Sequence, residues 1–419
     1  MNVKSGSGAT MPHPHEPVPT SPSTETSPRA LTPRRVVVFG GAGAMGAKAV
    51  ETLAAMPEFS EIVAIDLDAS ALERLTAVAA HVRVLAMDVL TDDIAAALDG
   101  VWGVVSALGP FTRFGEVTLG AAIAAGCHYV DINDDWEPTL TALEHGEAAA
   151  QAGVTALIGM GASPGVSNLL AKLAAEQLDE THELLTGWPM GTLAPPEPSG
   201  RPNAATLHFV HQTTGTVRVH RDGEAQLVAP LEKRTIPYPG YGDLKAWIIG
   251  HPEAVTLPRT FTSLRVCENL GTGPEWVFDR IREIAARVDR GELTQADAAR
   301  EIEAGFERPA ALQHSARPER SRPAPGLWAW AGGIVAGAPA HVAAELTRFP
   351  ADGMAGATAI PAAIGLQLIA RGLISQRGVV TPEEAVPPAE FFAEYEPFCT
   401  NARFEDESTP LVTIGRSQN

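Results

Sequence analysis

The residues of this sequence that could do chemistry fall into four short stretches. In the first, Gly41, Gly43 and Gly46 stand at the spacing Gly-x-Gly-x-x-Gly, with Ala44 and Met45 between the last two. The apolar run Val36-Val37-Val38-Phe39 enters this triplet, and Ala47–Ala54 leaves it with helical character. A strand, a tight turn and a helix in that order let backbone approach a pyrophosphate closely, on the positive end of the helix. A second apolar run, Ile62-Val63-Ala64-Ile65, ends in Asp66, twenty residues past Gly46. A carboxylate there accepts hydrogen bonds from an adenosine ribose and repels a 2′-phosphate. NAD is therefore the expected cofactor, with NADP possible because Arg74 follows shortly. Asp88, after the third apolar run, joins the cofactor-binding set together with Gly41, Gly43, Ala44, Met45, Gly46 and Asp66.

The other three stretches end later apolar runs. Ser106-Ala107-Leu108-Gly109-Pro110-Phe111 is the first; Ser106, Leu108, Gly109 and Pro110 are assigned to the cofactor and Phe111 to the substrate. The second is Asp131-Ile132-Asn133-Asp134-Asp135. Asp131 is the first candidate for handling a proton, since burial raises a carboxylate toward neutrality, and His128 is the second. Asp134 is a substrate candidate, with helix capping near Glu137 as its structural alternative. The third runs from Gly161 to Asn168. Ser163, Pro164, Gly165 and Asn168 are assigned to the substrate, because a helix beginning at Gly165 could hold a carboxylate. Its counter-cation is sought among Arg218, Arg221, Lys233, Arg234 and Arg259. Tyr241, with Tyr238, sits in a loop of prolines and glycines that could close over the substrate. His208 and His211 read as strand residues on opposite faces, so they are not expected to share a metal, and no metal site is expected elsewhere.

Elements that alternate between strand and helix position these stretches. Strands are expected at 35–40, 61–66, 82–87, 102–107, 128–132 and 154–159, with helices at 44–56, 69–80, 113–126, 137–152 and 165–178. Such alternation implies an α/β fold with a Rossmann-type, doubly wound parallel sheet, whose ligands bind outside the carboxyl ends of the strands. After about residue 185 the pattern changes. Segment 188–202 reads as a connection and 205–235 as antiparallel strands, with a hairpin turn at Arg221-Asp222-Gly223-Glu224. Helical spacing returns over 274–306, an Arg- and Pro-rich surface loop over 308–325, and a strand pair around Gly337 between Trp328 and Phe349. The second part is thus α+β with a mixed or antiparallel sheet. Four regions follow: a disordered tail at 1–33, a dinucleotide-binding domain at 34–160, a substrate and dimerisation domain at 161–350, and a C-terminal helix and tail, 351–419, packing back on the first domain.

Composition narrows the function. The 419 residues carry a formal net charge of −19, which repels phosphate backbones and anionic lipid, so no nucleic-acid partner is expected. No apolar run is read as long enough to span a membrane. Three widely spaced cysteines, Cys127, Cys267 and Cys399, suit a reduced, cytoplasmic protein.

The run Gly41–Gly46 resembles the opening of the saccharopine dehydrogenase-like family, the group of saccharopine reductase, L-lysine 6-dehydrogenase and carboxynorspermidine dehydrogenase. So do Ala121–Asp131 and Gly161–Asn168, and further on Gly356–Ala363, Gly372-Leu373-Ile374 and Gly378–Glu383. The resemblance implies an NAD(P)-dependent oxidoreductase that moves a hydride to or from a nitrogen-bearing carbon of an amino-acid or imine substrate, working as a homodimer. Two alternatives stay open: a trans-acting enoyl reductase on a thioester, and a non-catalytic dinucleotide-binding subunit.

Overall fold

Seven parallel strands form the first sheet. In chain order they are β1 (Arg35–Phe39), β2 (Glu61–Asp66), β3 (Val82–Ala86), β4 (Gly103–Ser106), β5 (His128–Asp131), β6 (Thr155–Leu157) and the late strand Gly378–Val380. Their spatial order is Gly378–Val380, β6, β5, β4, β1, β2, β3. The computed structural model describes residues 34–190, 202–306, 324–402 and 409–418; the tail 1–33, most of the connection expected at 188–202 and nearly all of the loop expected at 308–325 lie outside the described residues. Val36, Val37 and Val38 are all fully buried. Both faces of β1 are therefore covered, which is why its sequence is continuously apolar rather than alternating. The order reverses between β1 and β4, and the crevice at their carboxyl ends is where such sheets bind ligands. Helices Ala44–Ala54, Phe111–Ala124 and Trp136–Glu144 follow β1, β4 and β5. The helix expected at 69–80 is shorter, Ala69–Glu73, continued by a 3-10 turn at Arg74–Ala77.

The second sheet is mixed. Its strands are β7 (Glu180–Pro189), β8 (Val217–Arg221), β9 (Glu224–Val228), β10 (Lys233–Tyr238), β11 (Gly242–Ile248), β12 (Val266–Thr272), β13 (Trp328–Val335), β14 (Ala338–Leu346) and the last strand, Val412–Gln418. The path runs β10, β11, β12, β7, β13, β14, last strand, with β7 and β12 parallel and the other neighbours on it antiparallel. The sheet curls until the indole Nε1 of Trp330 donates to the Pro237 carbonyl at 3.1 Å. The hairpin at Asp222-Gly223 forms as expected, both residues holding positive φ (56° and 82°).

One expected element is different. Leu207–His211 is not a strand but part of the helix Ala204–Gln212. Adjacent Phe209 and Val210 are both buried, in a cluster with Trp247 and Phe278 whose rings stack at 4.0 Å. Successive residues on one face require a helix, and the Asn203 side chain caps it by accepting the Ala205 N–H at 2.8 Å.

The chain's end returns to the first sheet and then leaves it. Helix Gly353–Ala370 packs on helix Ala44–Ala54 and on the sheet at β4 and β5, and Gly378–Val380 extends the sheet beside β6. The final strand instead joins β14. Against the sequence expectation, Gly353–Ala370 is long and apolar enough to cross a membrane by length and composition, with 67% of it buried in this fold. Its Gln367 side chain donates to Glu58 in the core. The main apolar core unites Val36 and Val38 of the first sheet with Leu184, Ala329 and Val342 of the second.

Candidate active site

The glycine loop is a cradle that requires glycine at Gly41 and Gly46. A Cβ at Gly46 would lie 1.9 Å from the Gly40 carbonyl oxygen. The Gly43 N–H donates to Gly40, the Ala47 N–H to Gly43, and the Ala42 N–H to Asp66 Oδ2 at 3.1 Å. Among the described residues the N–H groups of Ala44, Met45 and Gly46 have no protein acceptor. Unpaired donors at the positive end of a helix, on a surface left open at Gly43 and Ala44, fit a pyrophosphate. Asp66 stands at the end of β2, its Oδ1 accepting the Asp68 N–H at 3.2 Å, beside an exposed Leu67. Asp88 is tied into its own turn, its Oδ1 accepting the Leu90 N–H and its own N–H donating to the Asp92 carboxylate. Ser106 is fully buried with its hydroxyl 3.3 Å from Thr118, whereas Gly109 and Pro110 reach the surface.

Asp131 ends β5 as expected, but its carboxylate is occupied. Oδ1 accepts the Gly159 N–H at 2.7 Å and the Asn133 N–H at 3.1 Å, and the Asp131 carbonyl accepts Met160 N–H at 2.7 Å. The side chain therefore fastens the loop after β5 to the loop after β6. Burial pushes its pKa up to about 6 against these bonds. Phe111 is buried, and with Asp131, Asn133 and Glu137 it lines a cavity of about 160 Å³ between helices Phe111–Ala124 and Trp136–Glu144.

His128 is a correction. It begins β5, at the amino end of the strands and away from the ligand crevice. Its Nδ1 accepts the Thr155 N–H at 3.0 Å, its ring lies 4.8 Å from that of Trp102, and burial lowers its pKa to about 4. It is a neutral structural histidine.

The helix Val166–Ala175 corrects a second expectation. Its N-terminus is closed by its own loop: Val166 N–H donates to Gly161, Ser167 N–H to Ala162, and Gly165 N–H to the Asn168 side chain at 2.9 Å. No carboxylate can take these donors. Gly165 is required for another reason, since a Cβ there would lie 2.1 Å from the Gly161 carbonyl oxygen. Pro164 is buried under Gly159, and Asn168, fully buried, also donates to Glu383 at 2.8 Å. Pro164, Gly165 and Asn168 are thus buried, with Gly165 and Asn168 hydrogen-bonded to one another and Asn168 to Glu383. Ser163 remains at its edge, its hydroxyl donating to Glu253.

Around Asp134, a substrate candidate from the sequence, the structure gathers charged residues that the sequence reading did not assign to the site. Helix Ala204–Gln212 turns His208 and His211 to one side, three residues apart. His208 Nδ1 lies 3.0 Å from Asp134 Oδ1 and 3.2 Å from Asp135 Oδ2, while His211 Nε2 lies 3.3 Å from Glu137. The charge of Asp134 is the largest influence holding His208 protonated; burial opposes it and Asp135 adds to it. Burial would raise Asp134, but His208 overrides it and keeps the carboxylate ionised. From the loop after β11, His251 Nδ1 meets Glu253 Oε2 at 3.1 Å, both buried. Glu253 Oε1 in turn accepts the Ser167 hydroxyl at 2.6 Å. Its burial is outweighed by His251, which holds it ionised. These pairs stand at the carboxyl ends of β5 and β6, beside the loop that follows β4.

Tyr241 and three of the five proposed cations are engaged within the second sheet. Tyr241 packs edge-on to Tyr238 at 6.4 Å, within the core of the second sheet and not beside these groups. Of the five proposed cations, Arg221 and Arg234 pair with the buried Glu268 and Lys233 with Glu275. They are committed to the second sheet's own ion pairs.

Known proteins share this sequence and architecture. A family model described as the saccharopine dehydrogenase NADP binding domain matches residues 36–157. Carboxyaminopropylagmatine dehydrogenase of Synechocystis sp. is 24% identical over 271 residues, 60% of this chain and 65% of that protein, so the match spans just under two thirds of the relative's length. Apo saccharopine dehydrogenase (L-Glu forming) from Saccharomyces cerevisiae superposes with a TM-score of 0.61 at 15% identity, covering 92% of this chain and 100% of that one. Homospermidine synthase from Legionella pneumophila, solved with NAD, gives 0.55 at 13% identity over 92% and 91%. The two structures share the fold of nearly the whole chain. Residues 36–157 thus match the NADP binding domain of saccharopine dehydrogenase, and the chain shares the fold of the two solved structures over 92% of its length.

Proposed function

We propose that this protein is an NAD(P)-dependent oxidoreductase that moves a hydride to or from a nitrogen-bearing carbon of an amino-acid or imine substrate. The observation that carries the reading is the placement of His208, Asp134, Asp135, His251 and Glu253 at the same strand ends as the open glycine cradle. A bound nicotinamide dinucleotide would supply the hydride acceptor or donor. The cradle would hold its pyrophosphate, and Asp66 its adenosine ribose, which favours NAD over NADP. The half-exposed carboxylate of Asp134 gives the site an anionic wall. Such a wall favours a protonated imine, whose positive charge makes the carbon a better hydride acceptor, over its neutral form. Holding that carbon at ~3–3.5 Å from the hydride carrier is the rest of what the protein supplies.

The named relatives act on amine-bearing molecules by their names, and only that class is carried over. Ionised side chains at the site favour this reading over an enoyl reductase on a thioester, which calls for an apolar channel. They equally favour it over a non-catalytic subunit. We further propose a dinucleotide-binding part at 34–160, a second part at 161–350 and a returning C-terminal segment. A homodimer in the cytoplasm fits the family resemblance and the three buried free thiols.

The test is absorbance at 340 nm with NAD and NADP and their reduced forms, against diamino acids, carboxylated polyamines and mixtures of amines with keto acids. A change in reduced cofactor with any member supports the reading. Confirmed dinucleotide binding with no change across the panel, together with turnover of an enoyl thioester, would replace it.

A further inference from the structure

We propose that His208 exchanges the proton of the substrate nitrogen, with Asp134 and Asp135 as its positioning pair. This rests on the hydride-transfer reading above. Both carboxylates lie within ion-pair distance of the same ring nitrogen, Nδ1, at 3.0 and 3.2 Å, which leaves Nε2 as the other end of the ring. Nε2 faces the exposed loop after β4, 3.5 Å from where a side chain on Gly109 would begin. The loop it faces is the one that leads from Ser106, at the strand end where the hydride chemistry is placed, to helix Phe111–Ala124.

The other acid–base candidates are less free. Asp131 is spent on two backbone N–H groups, His128 lies at the opposite end of the sheet, and His251 is sealed against Glu253 and Trp188. The groups paired with His208 are Asp134 and Asp135 from the loop after β5; His211, itself paired with Glu137, feels its charge, and the buried pair His251 and Glu253 bears on it through Asp134. Gln212, on the same helix, holds the Asp134 carbonyl at 3.0 Å.

In reduction, the carbon of the protonated imine receives the hydride, the C=N π pair moves onto nitrogen to give the neutral amine, and the Nε2 proton then converts that amine to the ammonium. The neutral imidazole regains a proton from water. In oxidation, the neutral imidazole takes the proton of the ammonium before hydride leaves its carbon. An imidazolium clamped by two carboxylates is a weaker acid than free histidine, which brings it toward the ~10 of an aliphatic ammonium and makes the exchange nearly balanced.

The experiment compares wild type with His208→Gln and Asp135→Asn. First, imidazole ¹⁵N shifts of the cofactor-free protein are followed from about pH 6 to 10. His208 should carry protons on both nitrogens at neutral pH, with the doubly protonated state lost at lower pH in Asp135→Asn. Second, rates are measured in both directions with solvent and primary deuterium isotope effects. His208→Gln should bind dinucleotide within about twofold of wild type yet lose 10²–10⁴-fold in turnover, the range expected for removing a general acid–base group. Should His208→Gln not fold, the shifted ¹⁵N titration and pH–rate profile of Asp135→Asn decide. A His208 that titrates near 6.5, or a folded His208→Gln with turnover and profile like wild type, overturns the proposal alone. A clamped imidazolium in a wild type that transfers no hydride to any carbon–nitrogen substrate overturns the reaction reading, and the proposal with it.

Discussion

Replacing Asp131 by asparagine and, separately, by alanine distinguishes a fastening carboxylate from a proton-handling one. Its Oδ1 holds two buried N–H groups, those of Gly159 and Asn133. An asparagine amide oxygen can accept both, whereas alanine leaves them without an acceptor at roughly 1–3 kcal/mol each. The carboxyl's pKa is about 6 in the folded protein, against 3.8 for a free aspartate. The folded state therefore binds the proton more tightly than the unfolded state, and this residue's stabilising contribution is lost as pH rises from about 4 through about 6. Two pKa units at ~1.4 kcal/mol each put the cost of the buried charge near ~3 kcal/mol at neutral pH. Asp131→Asn should match wild type near pH 4 and exceed it by up to ~3 kcal/mol above about pH 7. Asp131→Ala should lie about 2–6 kcal/mol below the asparagine variant throughout. Urea unfolding at three pH values reads these differences, and turnover is assayed alongside. Parallel wild-type and Asp131→Asn curves would refute the burial argument. A stable, dinucleotide-binding Asp131→Asn without turnover would refute the fastening role and return the proton to Asp131.

Three more outcomes follow from the same geometry. Gly46→Ala should weaken dinucleotide binding by at least about 100-fold in calorimetry, because its Cβ would drive into the Gly40 carbonyl at 1.9 Å; binding within threefold of wild type would mean the cradle lies elsewhere. Asp66→Ser with Leu67→Arg should move the NADP-to-NAD ratio of kcat/KM upward by about 10–100-fold, since a repelling carboxylate goes and an arginine partner for the 2′-phosphate arrives; an unchanged ratio would displace Asp66 from the ribose. Asn168→Ala removes the donor to Glu383 and the acceptor for Gly165 N–H, and should cost about 2–5 kcal/mol in urea unfolding. Loss of turnover with stability unchanged would instead return Asn168 to the substrate.

Much of the first sheet was legible because its signals are local. Val36–Phe39 and Ile62–Ile65 are uninterrupted apolar runs, and the glycine spacing stands beside the first of them. The second half of the site is built from distant pairs, which no local period reveals: Ser163 and Glu253 are 90 residues apart, Asn168 and Glu383 are 215. Leu207–His211 mimicked a strand because Leu207, Phe209 and His211 alternate with smaller or polar neighbours. Asn203 before Ala204-Ala205 was the available signal for a capped helix, and it would have put His208 and His211 on one face. Gly165 was read as an open helix end because the sequence does not show that residues 161–165 fold back and consume its donors. His251 and Glu253 stood in a run with no pattern to single them out, and their role emerges only from burial against each other.

The central claim, hydride exchange at a carbon bearing nitrogen, is tested most directly by following a label. Reduced dinucleotide carrying deuterium on the transferred position of C4 is offered with an amine and a keto acid, and the product is examined by mass spectrometry and NMR. The account predicts one deuterium on the carbon attached to the new nitrogen, retained in water. Deuterium at a carbon β to a thioester carbonyl, or cofactor bound and no label transferred to any carbon–nitrogen product, would contradict it.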